Sequence, residues 1–460
     1  MRLPAPRLAR AAALAAAGLG ILAPRLLAQQ LRVPYETFTL SNGLQVIVHE
    51  DRSVPIVAVN TWYHVGSGDE HQGRTGFAHL FEHIMFMGSQ HVPTGAFDQL
   101  LEAAGVDNNG STTEDRTNYY ETGPSSATEL MLYLDSDRMG FLIPEITAEK
   151  VDLQRGVVQN ERRQRVDNQP YGLAEENILS LLYPAGHPYS WPVIGSLADL
   201  QAASIDDVRN FFRTNYAPNN ATIVIAGAIS PAEARRLVEK WFGDIPRGPE
   251  VPRNNPAPFT LPRNAYRTLE DRVQLPRVYN AWHTQRAYGD DDASLQILAD
   301  ILAGGRSSRL YRRLVYELQI ANQVGAYHDA LKMDGSFRLS ATARPGHDLN
   351  ELQREIDAQV RMIADSGPTV REVQRAQNQT ESGFLDGMET VLSKADQLNQ
   401  YQYFVGTPDW FQQDLERYRR VTPADVQRVA RQYLANAHRV VVSVVPQGRQ
   451  NLAVTEGAVP

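Results

Sequence analysis

The sequence predicts a duplicated two-domain fold built from both strands and helices. Three observations carry that prediction. Strand-like and helix-like segments alternate along the chain after residue 35. A stretch at 244–263 holds six prolines and no hydrophobic periodicity, so it reads as an extended linker. The two sides of that stretch also resemble each other. SVPIVAVNTWYH at 53–64 resembles QLPRVYNAWHT at 274–284, pairing Trp62 with Trp282. DDVRNFFRTNYAPNNATIVIAG at 206–227 resembles ADVQRVARQYLANAHRVVVSVV at 424–445, pairing Asp207 with Asp425. The offsets, 220 and 218, are nearly equal, as duplication of a unit of about 210 residues requires.

The elements follow in order. Arg2, Arg7 and Arg10 precede a small-apolar run from Ala11 to Ala23, with no acidic residue before Gln29. That pattern predicts a secretory signal peptide over 1–28, its run too short to span a bilayer. Asn42-Gly43 marks a turn between two short strands, the second being LQVIVHE, and IVAVNTWYHVGS reads as another strand. Helical patterns follow around 76–88, 95–104, 125–140 and 147–167. The expected division is a first domain over 35–245, a linker over 246–264, a second domain over 265–446 and a tail over 447–460.

Composition narrows the function classes. Of 460 residues, 42% are hydrophobic and 21% charged, which is globular composition. Cysteine is absent, so disulfides, thiolate metal sites and a cysteine nucleophile are excluded. The net charge of −8 becomes −12 on loss of residues 1–28, and no long basic run argues for nucleic acid. No later segment is long and apolar enough for a stable membrane anchor. A periplasmic location is the expectation.

The most informative segment is TGFAHLFEHIMFMGS, 75–89. On a helix, His79 and His83 lie about 40° apart on one face and can grip one ion. Glu82, beside His83, can reach a water on that ion without being a ligand. This is the inverted zinc-protease pattern H-x-x-E-H. A third ligand should be a carboxylate in an apolar setting, and the helix over 147–167 offers one. Thr147 serves as N-cap, Val151, Leu153, Val157 and Val158 form one apolar arc, and Glu161 falls within it beside Gln154. Such a carboxylate needs a neutralising partner, either a metal or an arginine such as Arg162 or Arg165.

HLFEH, separated by 77 residues from the glutamate of RGVVQNERRQ, resembles the pitrilysin/insulinase family of zinc metallopeptidases. The likeness is to its two-domain members and extends to residues 76–121, HPYSWPVIGS (187–196) and GGRSSRLYRRLVYE (304–317). It implies an α+β fold of two homologous domains, each an antiparallel-rich sheet with helices on one side, facing each other across a chamber. It implies one zinc per chain on His79, His83 and Glu161, with Glu82 as general base. Gln154 stands where many relatives have a second, supporting glutamate, and an amide there can still orient a histidine. Asn109 and Gly110 stand at the family's substrate-contact position, where an extended peptide adds to an edge strand; from sequence alone, a glycine-containing hairpin turn fits those residues as well. At an offset of 220 the duplicate of the motif is ADILA, 299–303, so the second half is expected to hold no zinc.

One part is missing. Active relatives typically carry an Arg and a Tyr seven residues apart in the second half, in a stretch resembling LREKxGLAY. Anchoring on SSRL at 307–310 puts those positions at Val315 and Asn322, and neither can do the pair's job: valine has no donor, and asparagine is short and uncharged. Arg309 and Tyr316 have the right spacing in the wrong register. The resemblance therefore implies a zinc endopeptidase acting on peptides or unfolded segments, with a homologous partner subunit supplying the pair, or a homodimer. A non-catalytic core subunit of the same fold and a zinc-binding accessory protein are the competing classes. The intact His79, Glu82, His83 and Glu161 separate them, since neither alternative needs a base beside the ligands.

Overall fold

The computed structural model describes residues 32–457. The expected signal peptide lies outside the described residues, as do the last three residues of the tail. Among the described residues, no helix is long and apolar enough to cross a membrane.

Two sheets organise the chain. The first contains β1 (Glu36–Thr39), β2 (Gln45–Glu50), β3 (Ile56–Tyr63), β4 (Asp107–Thr112), β5 (Thr117–Pro124) and β6 (Ala221–Gly227), in the order β1-β2-β6-β3-β5-β4. The second contains β7 (Ala265–Asp271), β8 (Arg277–Thr284), β9 (Ala321–Ala330), β10 (Gly335–Ala343) and β11 (Val440–Pro446), in the order β7-β11-β8-β10-β9. Strip β1 from the first sheet and the two orders coincide strand for strand. Each sheet has one parallel pair, β2 with β6 and β7 with β11, and is otherwise antiparallel. The duplication is therefore topological as well as sequential.

The sequence matches behind it fare differently. Asp207 and Asp425 do correspond: each is the third residue of a helix opened by a capping box, Ser204 with Asp207 and Thr422 with Asp425. Trp62 and Trp282 do not correspond. Trp62 turns toward the second half, its Nε1 donating to Asp396 at 3.1 Å, whereas Trp282 packs in the second half's own core. In a strand a slip of one residue swaps faces, and Tyr63, buried in the first half's own core, is the residue that shares Trp282's orientation.

Both sheets are covered on two faces. Val46, Val48, Val57, Val59, Ile223 and Ile225 face the first half's own helices. Ile47, Ala58, Val224 and Ala226 face Val391, Ala395 and Leu398, which belong to the helix Val391–Phe404 of the second half. The exchange is reciprocal. Ile178, Leu179 and Leu182, from the first half's helix Ala174–Leu182, pack on Ala281, Val440, Val442 and Val444 of the second sheet. Burial on both faces explains the near-continuous apolar runs of β6 and β11, broken only by Thr222 and Ser443. As expected, each half's own helices occupy one face of its sheet, and a helix lent by the other half occupies the second. Beside β4 the two halves leave a cleft of about 440 Å³ rather than meeting directly. The linker forms no helix or strand but is held down, Arg253 donating to the carbonyl of His64 at 2.6 Å and Asn254 to that of Gly68 at 2.7 Å.

Candidate metal centre

The motif lies on the helix Phe77–Ile84, whose Phe77, Leu80, Phe81 and Ile84 anchor it in the first core. Gly76 precedes it with φ +89°, and a Cβ there would meet the Ile194 carbonyl oxygen at 2.8 Å, so only glycine fits. Glycine brings no side chain to satisfy the helix's first amides. Glu70 does so from a distance, accepting from the amides of Gly76 (2.9 Å) and Ala78 (2.8 Å). Burial pushes its carboxyl up to about 8, against the pull of those amides.

The facing helix, Ala148–Arg162, is capped by Thr147 and continues as a π turn, Arg163–Asp167. Its buried stripe is Val151, Gln154, Val158 and Arg162. This corrects the expected apolar arc, because Leu153 and Val157 are 56% and 40% exposed. Glu161 stands on the flank of that stripe and reaches the motif helix. Its Oε2 lies 3.2 Å from His83 Nε2 and 3.6 Å from His79 Nε2. One ligand atom from each of His79, His83 and Glu161 lies within 4.8 Å of the others. The two oxygens of Glu161 face different groups: Oε1 takes the exposed Arg165 at 2.7 Å while Oε2 faces the imidazoles. Arg162 goes elsewhere, to Glu176 and the Gly195 carbonyl.

Two imidazoles and one carboxylate converging on a point are a donor set suited to zinc, three ligands with a position left open. Burial pushes the His79 imidazole below its ordinary range, toward the neutral form a metal needs. Gln154 is buried against the site, but its Nε2 points at Met87 Sδ (2.8 Å). His79 Nδ1 is left buried without a hydrogen-bond partner, so the amide does not orient the histidine here.

Glu82 stays outside the ligand group. Its Oε2 accepts from Thr112 Oγ1 at 2.6 Å, a contact the sequence reading missed. Thr112 closes β4, which lies at the sheet's end with β5 as its only partner among the described residues. Asn109 and Gly110 therefore lie on an edge strand and not in a turn. Gly110 faces Glu82 so closely that a Cβ would sit 3.1 Å from Glu82 Cγ. Asn109 spends its side-chain oxygen on the Gly110 amide (2.8 Å).

In the second half, the helix Asp292–Ala303 carries ADILA, and its Ala299, Ile301 and Leu302 are core residues. Val315 is packed in that core and Asn322 is exposed on β9. Arg309 makes a two-point ion pair with Glu372 (2.7 and 2.9 Å), which holds that carboxyl down at about 2, and Tyr316 is 77% exposed. The off-register pair is committed to the second half's own surface.

Comparison with known proteins agrees. The model for insulinase (peptidase family M16) matches residues 45–190, and that for the peptidase M16 inactive domain matches 202–380. The chain belongs to the insulinase family. The zinc protease PqqE of Helicobacter pylori is 27% identical over 426 residues, 91% of this chain and 94% of that protein. A probable mitochondrial-processing peptidase subunit beta of Arabidopsis thaliana is 25% identical over 428 residues, 89% of this chain and 78% of that one. The crystal structure of a protease from Helicobacter pylori superposes with a TM-score of 0.84 at 26% identity, covering 90% of this chain and all of that one. This insulinase-family chain thus shares its fold with a protease of Helicobacter pylori along nearly its whole described length.

Proposed function

We propose that the chain is a zinc-dependent endopeptidase, exported to the periplasm by its N-terminal segment, and the metal-bearing subunit of an oligomer. The observation that carries this reading is Glu82: a carboxylate outside the ligand triad, fixed by Thr112 beside the open edge of β4. His79, His83 and Glu161 would hold one zinc ion. Bound there, zinc supplies Lewis acidity, making water acidic enough to attack at neutral pH and polarising a carbonyl.

The remaining work falls to the chain's own side chains. A peptide adds to the free edge of β4, its backbone bonding to the strand with little regard for side-chain identity. Thr112 holds Glu82 Oε2, which leaves Oε1 to take the water's proton and pass it to the departing amine. A binding protein has no use for a base in that place. Val315, packed in the second half's core, has no donor, and Asn322 on β9 carries only a short, uncharged amide, which supports a homologous partner carrying the Arg/Tyr pair.

Glu82→Gln is the decisive variant. Peptide cleavage followed with a quenched fluorescent substrate should fall by about 10²–10⁴ in kcat, while zinc content by elemental analysis stays at one per chain. Unchanged kcat would refute the assignment of the base. A native chain that binds zinc but cuts no peptide, alone or with a homologous partner, would favour the scaffold reading.

A further inference from the structure

The cleft beside β4 lies on the face of the first sheet opposite the metal centre, and strand alternation connects the two. Along β4 the side chains of Asn108 and Thr112 turn toward the motif-helix side, bonding Asp98 and Glu82, and Gly110 faces the same way. Ser111 turns to the other side, bonding Asn118 and lining the cleft. The register of β4 on β5 continues the split. Tyr119, opposite Gly110, donates to the Phe81 carbonyl of the motif helix, while Asn118, opposite Ser111, lines the cleft. A peptide added to the free edge inherits the same alternation. Every second side chain faces the metal side, and those between face the cleft.

The outer wall of the cleft comes from the second half, where the helix Val370–Asp386 gives way to Val391–Phe404. Phe384, Met388 and Leu392 present half-buried apolar surface there. The two charged groups in the cleft, Arg116 and Asp396, are opposite in sign and hydrogen-bonded to its wall. Arg116 donates to the Ser111 carbonyl (2.9 Å), Ser111 Oγ (2.6 Å) and Asn118 Oδ1 (3.2 Å), with its guanidinium 5.1 Å from the centre of the Trp62 ring. Asp396 accepts from Asn60 (3.0 Å), Trp62 (3.1 Å) and Asn118 (3.5 Å). A charged side chain entering would be desolvated and would meet a charge of its own sign as well as one of the opposite sign, whereas an apolar one would cover Phe384, Met388 and Leu392.

We infer that this cleft is a specificity subsite, supplied by the metal-free half, that selects a large uncharged apolar side chain at alternate positions of an edge-bound peptide. The inference rests on the edge-strand binding proposed above. It gives the second half a role in substrate choice without giving it any part in the chemistry.

Gly383 provides a clean test. It is exposed within its helix, lines the cleft, and a Cβ built there meets nothing within 4 Å. Gly383→Leu therefore fills the cleft without a packing clash, and leucine is the better helix former. Peptides identical but for one residue, Leu, Ala, Asp or Lys at the cleft-facing position, are titrated by fluorescence anisotropy. The protein is the zinc-supplied full chain carrying Glu82→Gln, with and without Gly383→Leu. The Leu peptide should bind about tenfold or more tighter than the Asp and Lys peptides. Gly383→Leu should erase that preference, leave the Ala peptide unchanged and not lower the melting temperature. Binding indifferent to the residue, or a Leu preference that survives Gly383→Leu, overturns the inference. Binding is read without turnover, so a chain that shows the preference but never cuts fails only as a peptidase.

Discussion

The two halves share a sheet order, a lent helix and a capping box, yet one holds a convergent His-His-Glu cluster and the other a dry core. In the first half, the motif helix brings His79 and His83 to Glu161. In the second, Ala299, Ile301 and Leu302 pack among aliphatic neighbours. The difference teaches where the constraints lie. Sheet order and lent helices are fixed by the need to bury both faces of each sheet, a demand both halves meet alike. The chemistry depends on a few side chains that can be lost while the fold persists. The second half instead packs Ala299, Ile301 and Leu302 in its core and, from other segments, presents Phe384, Met388 and Leu392 to the cleft.

The largest expected effect comes from completing what the second half lacks. If neither half supplies an oxyanion donor, the purified chain should turn over slowly. Adding a homologous chain that carries the Arg/Tyr pair should raise kcat by about 10²–10³, the usual worth of one such donor. The measurement is turnover against partner concentration. Full activity of the lone chain would break the division of labour, and loss of activity on Arg309→Ala would return Arg309 to the site despite its pairing with Glu372.

A smaller effect should follow from making the first half more like the second. Glu161→Gln keeps the shape of the side chain but removes the charge that faces both imidazoles. Zinc affinity, measured by competition with a chromogenic chelator, should weaken by at least about tenfold, since the metal is left with two neutral ligands. Affinity unchanged from the native chain would show that Glu161 serves Arg165 alone.

Much of this contrast was legible in the sequence, because helical spacing alone puts His79 and His83 on one face. The Thr147 cap and the match of Asp207 with Asp425 were legible for a similar reason: their signals are local. What failed was whatever needs a third dimension. A helical wheel groups Leu153 and Val157 with Val151 and Val158 but cannot say which side meets the core, and the first two are exposed. A sequence match tolerates a slip of one residue, which in a strand moved Trp62 to the opposite face from Trp282. Thr112 meets Glu82 across 30 positions and Glu70 caps a helix it does not precede directly, so no local pattern marks either. The lent helices are longer-range still.

The smallest effect tests whether those lent helices make the halves one folding unit. Ser204 Oγ accepts from the Asp207 amide at 3.1 Å, and Thr422 Oγ1 from the Asp425 amide at 3.2 Å, each repaid by the aspartate on the cap's own amide. Ser204→Ala and Thr422→Ala remove the same contact from corresponding helices in the two halves. Each should cost about 1 kcal/mol, roughly fivefold in the folding equilibrium. Helix Val391–Phe404 covers the first sheet and helix Ala174–Leu182 the second, so neither half can open without exposing apolar surface of the other. Both variants should therefore shift one shared urea transition by similar amounts, and the double variant by their sum, the sites being independent. The first of these caps should also respond to acidification. The Asp207 carboxyl is held below its ordinary range, first by the Ser204 amide and also by Arg74. Its contribution is present above the ordinary aspartate value and lost as pH falls through the lowered one. Two resolved transitions, each answering to only one of the variants, would show instead that the halves fold separately and that the lent helices dock only afterwards.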